Sequence, residues 1–187
     1  ETGLKVYEIP QASRVAKGRP LVNLIQLDSE ERITSLLNVE SFDAAGFVFM
    51  ATMKGVVKKT PLEDFRLPRK NGKRAIKLDA KDELVGTKIT DGKQHIMLIS
   101  DAGKAVYFDE KDSRPLGRDT RGVKGIELED EQNVISLMVP GSEDEILTVS
   151  ENGFGKKSRI TDFRKTKRGA KGVIAMQLSE RNGKLIS

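Results

Sequence analysis

Short apolar runs that alternate with polar residues recur along the whole chain. HIMLIS (95–100) and KAVYF (104–108) flank a turn that ends in Gly103, which is typical of a β-hairpin. EILTVS (145–150) precedes an Asn-Gly pair ending at Gly153, and this pair readily supplies the positive φ values of a tight hairpin turn. No window of about 11 residues follows the 3.6-residue period of a helix. The pattern predicts an all-β fold.

The pattern repeats four times. Each copy has a basic segment with glycine, an apolar alternation that ends in leucine, an acidic turn and a second apolar alternation. The copies occupy residues 17–39, 71–89, 121–139 and 171–187. The leucines that anchor them are spaced 51, 50 and 50 residues apart, at Leu27, Leu78, Leu128 and Leu178. A fixed period of this length is the signature of a repeat architecture.

A second feature keeps nearly the same period. The hairpin glycines Gly55, Gly103 and Gly153 are 48 and 50 residues apart. Each unit then holds about four short strands, and a unit of this size with four strands is typical of a propeller. We therefore expect one domain of about four propeller-like repeats of roughly 50 residues. The approximate boundaries are 1–45, 46–95, 96–144 and 145–187.

Cations concentrate between each hairpin glycine and the next basic glycine segment. Residues 54–77 hold nine cations and two acids, residues 104–124 hold six and four, and residues 154–171 hold eight and one. The acids cluster in turns instead, at 28–31, 79–83, 127–131 and 143–145. Equivalent positions of a radial repeat lie on equivalent parts of its surface. We therefore expect one band of cations and a separate band of acids, hidden by a net charge of only +5.

A repeated cationic band favours a long polyanion as the partner. Phosphates neutralised by such a band release counterions, so binding of this kind depends on salt. The glycines let backbone N–H groups approach an anion. The candidate DNA-binding residues flank these glycines or follow the hairpin turns: Arg19, Lys58, Lys59, Lys73, Arg74, Arg121, Lys124, Lys156, Lys157, Arg168 and Lys171. Gly72, Gly122 and Gly172 each precede an anchoring leucine by six residues, and their expected role is conformational.

Composition excludes several classes of site and indicates a compartment. The chain has no cysteine, which rules out disulfides and zinc–thiolate centres. No apolar run approaches the roughly 18 residues of a membrane span, and no signal peptide is visible. We expect a cytoplasmic protein without a membrane partner. Because the chain begins with Glu1, we also expect it to be part of a longer protein.

Two other classes of function have less support in the sequence than nucleic-acid binding. His95 is the only histidine and lies in a strand-like run, so we expect it to be structural, with no catalytic or metal-binding residues in the chain. Tyr7 and Tyr107 also lie in strand-like runs. The alternative is a propeller that binds proteins and not DNA. The chain lacks tryptophan, and aromatic residues are only 5% of it, which is little for a protein interface built on aromatic hot spots.

Several segments closely resemble the C-terminal domain of the A protein of DNA gyrase and, more distantly, the equivalent domain of topoisomerase IV. The resemblance runs from about Leu4 to the end of the chain. The segments that carry it are KVYEIPQASRVAKGRPLVNLIQL, FMATMKGVVKKTPLEDF, RGVKGIEL, VSENGFGKKS and KGVIAMQLSERNG.

The resemblance implies an all-β pinwheel, a propeller-like disc whose neighbouring blades share strands. It implies that double-stranded DNA wraps around a basic rim, without sequence specificity, and that this wrapping lets gyrase introduce negative supercoils. The partners implied are the N-terminal region of gyrase A and the gyrase B protein, in the bacterial cytoplasm at the nucleoid. ATP and Mg belong to the holoenzyme, and no cofactor is expected in this domain.

The sequence departs from the family pattern in two respects. The family domain has six blades, and this chain covers roughly four. The family's basic-glycine box, of the type Q-R-R-G-G-K-G, is absent. The nearest segments are AKGRP (16–20), TRGVKG (120–125) and RGAKGV (168–173), and none of them is that box. We therefore expect DNA binding, whereas complete wrapping depends on parts that this chain lacks.

Overall fold

A computed structural model describes residues 2–25, 27, 31–42, 45–67 and 72–187. The regular elements among these residues are ten β-strands and five short 3-10 helices, which confirms the all-β prediction. The strands are β1 (Phe47–Thr52), β2 (Val56–Pro61), β3 (Leu84–Thr90), β4 (His95–Ser100), β5 (Lys104–Asp109), β6 (Val123–Lys124), β7 (Val134–Met138), β8 (Glu145–Val149), β9 (Gly155–Arg159) and β10 (Val173–Ile174). The 3-10 helices are Val6–Glu8, Leu21–Asn23, Leu62–Phe65, Glu110–Asp112 and Ile160–Asp162. No helix among the described residues is long and apolar enough to cross a membrane.

Three antiparallel hairpins form the centres of three sheets, which we call blades 1 to 3. They are β1–β2, β4–β5 and β8–β9. Each hairpin closes through a glycine with positive φ, namely 79° at Gly55, 73° at Gly103 and 81° at Gly153. In each turn the glycine N–H donates to the carbonyl three residues earlier. The nearly equal spacing of these glycines in the sequence therefore marks equivalent turns.

Neighbouring blades exchange strands. Blade 1 has the order β3-β1-β2-β6 and blade 2 has the order β10-β5-β4-β7. β6 follows the hairpin of blade 2 along the chain, yet it pairs with β2 of blade 1. In the same way β10 follows the hairpin of blade 3 and pairs with β5 of blade 2. Each of these two-residue exchange strands ties a blade to a segment that lies beyond the next hairpin, as expected for a pinwheel.

The core consists of layers between successive units. On β1, Phe49 and Ala51 face the layer shared with blade 2, whereas Val48 and Met50 face a layer with the N-terminal segment. β4 likewise divides its side chains between the layer with blade 1 and the layer with blade 3. Both strands are therefore apolar on both faces and read as continuous apolar runs. β8 buries Ile146 in one layer, while Leu147 is 61% exposed on its other face.

The first unit differs from the sequence prediction. Paired strands were expected in residues 17–39, but the described part of this segment has no strand and only a 3-10 helix at Leu21–Asn23. In the other units the strand after the acidic turn pairs with a preceding hairpin, as β3 does with β1 and β7 with β4. No hairpin precedes Phe47 among the described residues, so this pairing has no partner there. Leu37, Val39 and Phe42 instead pack against the open side of blade 1.

The expected conformational role of the glycines before the anchoring leucines is confirmed by a positive φ of 70° at Gly72 and by close backbone contacts at Gly122 and Gly172. A Cβ at Gly122 would lie 2.2 Å from the carbonyl oxygen of Val57 on β2. A Cβ at Gly172 would lie 2.5 Å from the carbonyl oxygen of Ala105 on β5, and its φ is 82°. Both glycines lie directly before an exchange strand. They allow the exchange strand to approach the neighbouring blade.

Replacement of Gly122 by alanine is expected to lower the free energy of unfolding by about 1–3 kcal/mol, because the added methyl pushes β6 away from β2. Gly117→Ala is the matched control, since a Cβ at Gly117 meets nothing within 4 Å. It should change stability by less than about 0.5 kcal/mol. Urea denaturation of both variants measures this difference. Equal stabilities would contradict the steric role of Gly122.

Candidate nucleic-acid interface

The basic glycine segments of successive units lie side by side. The N–H of Lys77 donates to the carbonyl of Thr120 at 3.0 Å, and the N–H of Glu127 donates to the carbonyl of Ala170 at 3.0 Å. These bonds are equivalent, because both donor and acceptor are shifted by 50 residues. The strand exchange therefore joins residues 72–77, 118–125 and 168–175 into one continuous surface. We call these three segments the basic strip.

The structure places the eleven candidate residues in different surroundings. Arg74, Arg121, Lys124 and Lys171 lie exposed on the basic strip, and Lys73 and Arg168 lie there half-buried. Three more are exposed but lie outside the strip. These are Arg19 in the N-terminal segment and Lys156 and Lys157 on β9. The remaining two, Lys58 and Lys59, are buried.

Lys58 is an internal lysine, which contradicts its assignment as a DNA contact. It is 0% exposed. Its Nζ donates to the carbonyl of Ala75 at 2.7 Å and to the carbonyl of Arg118. Burial lowers the pKa of Lys58 from 10.5 to about 8, opposed more weakly by the negative charges of Asp119 and Asp64. The side chain links β2 to two segments of the basic strip through hydrogen bonds and is not available to a phosphate.

Lys59 is buried in the same way, so this assignment is also wrong. It is 4% exposed. Its Nζ donates to the carbonyl of Glu110 at 2.9 Å and lies 4.9 Å from the centre of the Phe47 ring. Burial lowers the pKa of Lys59, and the charge of Glu110 partly offsets this effect. The cation is held by a carbonyl and an aromatic face inside the protein.

An alignment of the repeat units indicates that these lysines are buried. The hairpin registers place Lys58 and Lys59 at the positions of Val106 and Tyr107 on β5. Both of those residues are buried between core layers. β2, like β5, is covered on both faces, so its side chains are enclosed whatever their polarity.

Lys156 and Lys157 occupy the same two positions on β9, but they are exposed. Lys156 Nζ lies 3.1 Å from the carbonyl of Ala175, which is the counterpart of the bond between Lys58 and Ala75. Lys157 Nζ lies 2.8 Å from Glu145 Oε2 in an exposed ion pair. Such pairs contribute little to stability. Among the described residues, blade 3 has no further unit to cover β9.

Arg168 connects three segments through its guanidinium group. Its Nε–H donates to the carbonyl of Asp112 at 3.1 Å, and its Nη1–H donates to the carbonyl of Lys124. An arginine side chain has five N–H donors. Two of them hold the turn after blade 2 and the exchange strand β6, and the remaining three can meet an anion at the surface.

The expected separation of cations and acids into two bands is wrong at the basic strip. Arg74 Nη1 lies 3.2 Å from Asp119 Oδ1, and Arg121 forms an ion pair with Asp79. Both pairs are exposed. Asp79 belongs to an acidic turn, so the exchange of strands brings this turn beside a cation of the next unit. The positive field of the strip is therefore reduced locally and is not uniform.

The described residues contain no group of three or more His, Asp or Glu side chains that could hold a metal ion. The half-buried His95 ring packs against Tyr107, with the ring centres 5.3 Å apart. Burial raises the pKa of the Tyr107 hydroxyl. This pair lies on neighbouring strands of one hairpin, where it supports packing of blade 2.

The buried Lys58 predicts a rise in stability at alkaline pH. Between pH 8 and 10.5 the unfolded chain keeps the Lys58 proton that the folded chain has lost, so the free energy of unfolding rises with pH. The gain is about 3 kcal/mol across this window. It should be absent in Lys58→Met. Because the other titrating groups are common to both chains, the difference between their urea-derived stabilities isolates Lys58. A difference that does not change with pH would contradict this prediction.

Known proteins share this architecture. A model of the family described as the DNA gyrase C-terminal domain, beta-propeller, matches residues 4–40, 46–91, 94–140 and 144–187. The solved C-terminal domain of DNA topoisomerase IV superposes with a TM-score of 0.83 at 29% identity, over 90% of this chain and 53% of that one. The solved C-terminal domain of DNA gyrase A gives a TM-score of 0.80 at 26% identity, over 91% of this chain and 57% of that one.

Related sequences give the same result. The DNA gyrase A proteins of Klebsiella oxytoca and Escherichia coli strain K12 are each 45% identical to this chain over 183 residues. The alignments cover 98% of this chain and 21% of each relative, so the chain spans about a fifth of their length. The DNA gyrase A protein of Haemophilus influenzae is 42% identical over 212 residues, covering 98% of this chain and 24% of the relative. The chain belongs to the family of DNA gyrase C-terminal domains with β-propeller architecture.

Proposed function

We propose that this domain binds and bends duplex DNA along the basic strip, without reading its sequence. The observation that carries this proposal is the contact between basic glycine segments of successive units. It turns three separate charge clusters into one surface that extends across the blades. A continuous cationic surface suits a polymer of regularly spaced phosphates better than a compact anion.

The interface favours contacts to phosphates over contacts to bases. The described residues offer short 3-10 helices of three or four residues and no helix that could enter a major groove. Lysine and arginine contacts to phosphates position a duplex but carry no sequence information. Smooth bending of a 20–30 base-pair site by 40–90° costs of order 1–6 kcal/mol. Phosphate contacts at successive units offset this cost.

In the longer protein we propose that the domain is the DNA-wrapping part of gyrase, a type IIA topoisomerase that introduces negative supercoils. Membership of the family and the 45% identity to gyrase A proteins support this role. The catalytic residues then lie outside this chain, and ATP and Mg are used elsewhere in the holoenzyme. The partners are double-stranded DNA, the N-terminal region of gyrase A and the gyrase B protein, at the bacterial nucleoid in the cytoplasm.

Binding to linear duplex DNA should fall steeply with salt and depend little on sequence. With about 6–10 phosphate contacts, affinity should drop roughly 10³–10⁵-fold between 50 and 200 mM salt. Fluorescence anisotropy with two duplexes of equal length and unrelated sequence measures both properties. A flat salt response would contradict the proposal, and the absence of binding would favour the alternative propeller that binds proteins.

If the domain also wraps DNA with a fixed hand, it should change the linking number of a closed plasmid. Nicked plasmid is incubated with the chain, ligated and freed of protein, and the topoisomers are separated on a gel. The shift should increase with the ratio of protein to DNA and vanish at a salt concentration that abolishes binding. Salt-sensitive binding without any shift would restrict the function of this chain to binding and contradict wrapping by these units alone.

A further inference from the structure

A small groove lies where the exchange strand β6 meets the hairpin turn of blade 1. It has a volume of about 350 Å³, and its lining includes Lys54, Gly55, Lys77, Arg121, Gly122 and Lys124. Gly55 and Gly122 lie on its wall, where the lack of a side chain leaves room for Ile126 and for the carbonyl of Val57. Ile126 and Leu128 also contribute to its lining. We call this space the β2–β6 groove.

Four cations from three different segments converge on the groove, and its two acids already have partners. Asp79 pairs with Arg121. Asp82 Oδ1 accepts hydrogen bonds of 2.9 Å from the N–H groups of Lys54 and Glu83. The side chains of Lys54, Lys77 and Lys124 are exposed, and no described residue forms a hydrogen bond or ion pair with their ammonium groups. Three unpaired positive charges therefore border one cavity.

The equivalent positions of blade 2 lack this charge. The hairpin turns align Lys54 with Ala102, and the 50-residue shift aligns Lys77, Arg121 and Lys124 with Glu127, Lys171 and Ile174. One of the four cations remains in blade 2, and one is replaced by an acid. Lys104, which occupies the position of Val56 in the lining of the first groove, lies 3.3 Å from Glu129. Two places with equivalent backbone hydrogen bonds thus differ in the charge of their side chains.

We propose that the β2–β6 groove is a phosphate-binding site that anchors duplex DNA on this domain, whereas the equivalent positions of blade 2 do not hold it. The proposal rests on the proposed DNA binding and assigns its strongest contacts to one place. The ligand is the phosphodiester backbone, since lysine ammonium groups bind phosphate as point charges. The contact does not depend on the base.

The test compares two triple variants of the 187-residue chain that remove the same charge. The groove variant is Lys54→Gln, Lys77→Gln and Lys124→Gln. The control variant is Lys88→Gln, Lys93→Gln and Lys184→Gln, at three lysines outside the groove. The groove variant should bind duplex DNA roughly tenfold or more weakly at 100 mM salt, and its salt slope should fall by about 2–3. The control should change affinity by less than about threefold, because its charges are not gathered at one phosphate site.

A third variant, Lys54→Arg with Lys77→Arg and Lys124→Arg, retains the charges and should bind like the unchanged chain. Thermal melting of each variant checks that the fold is intact. If the groove variant and the control lose equal affinity while the unchanged chain binds in a salt-sensitive way, this inference is overturned and the proposed function stands. If the unchanged chain does not bind duplex DNA, both are overturned.

Discussion

The fold depends on the close approach of a two-residue strand to the blade of a preceding unit. β6 pairs with β2 only because Gly122 leaves room for the carbonyl of Val57, and β10 approaches β5 beside Gly172 for the same reason. The carbonyls of Gly55 and Gly103 then accept backbone N–H groups from Gly125 and Ala175. Pairs this short supply few hydrogen bonds. Most of the stability must therefore come from the apolar layers that strand exchange brings together.

The same constraint determines where charge can reach the surface. Strand exchange covers β2 on both faces, so Lys58 and Lys59 are enclosed and satisfied by backbone carbonyls. The residues just before each exchange strand are carried onto the neighbouring unit, where Lys77 meets Thr120 and Glu127 meets Ala170. Some lysines of one sequence cluster are thus buried and donate hydrogen bonds to backbone carbonyls, whereas others are exposed cations. Whether a lysine is buried or exposed depends on whether strand exchange covers the strand that carries it.

The sequence was sufficient for features that depend on local chemistry and period. The hairpin glycines such as Gly153 and the close-contact glycine Gly122 were predicted from spacing, and the structure confirms them. The sequence did not indicate the burial of Lys58, because two neighbouring lysines are typical of a solvated strand edge. The layer that covers the second face of β2 forms only through tertiary packing. The prediction of strands in residues 17–39 was wrong for a related reason. A strand needs a partner, and the pattern of one segment does not show whether a partner is present.

Equivalent backbones do not make equivalent surfaces, and this matters for a protein that would bend a long polymer. The backbone hydrogen bonds repeat from unit to unit, while side chains such as Lys77 and Glu127 at the same position carry opposite charges. A uniform cationic band would hold a duplex equally well in any register along the strip. Uneven charge gives some registers more favourable contacts than others. The elastic cost of bending is similar in every register for DNA of average sequence. The contact free energy that offsets this cost therefore depends on where along the strip the duplex is held.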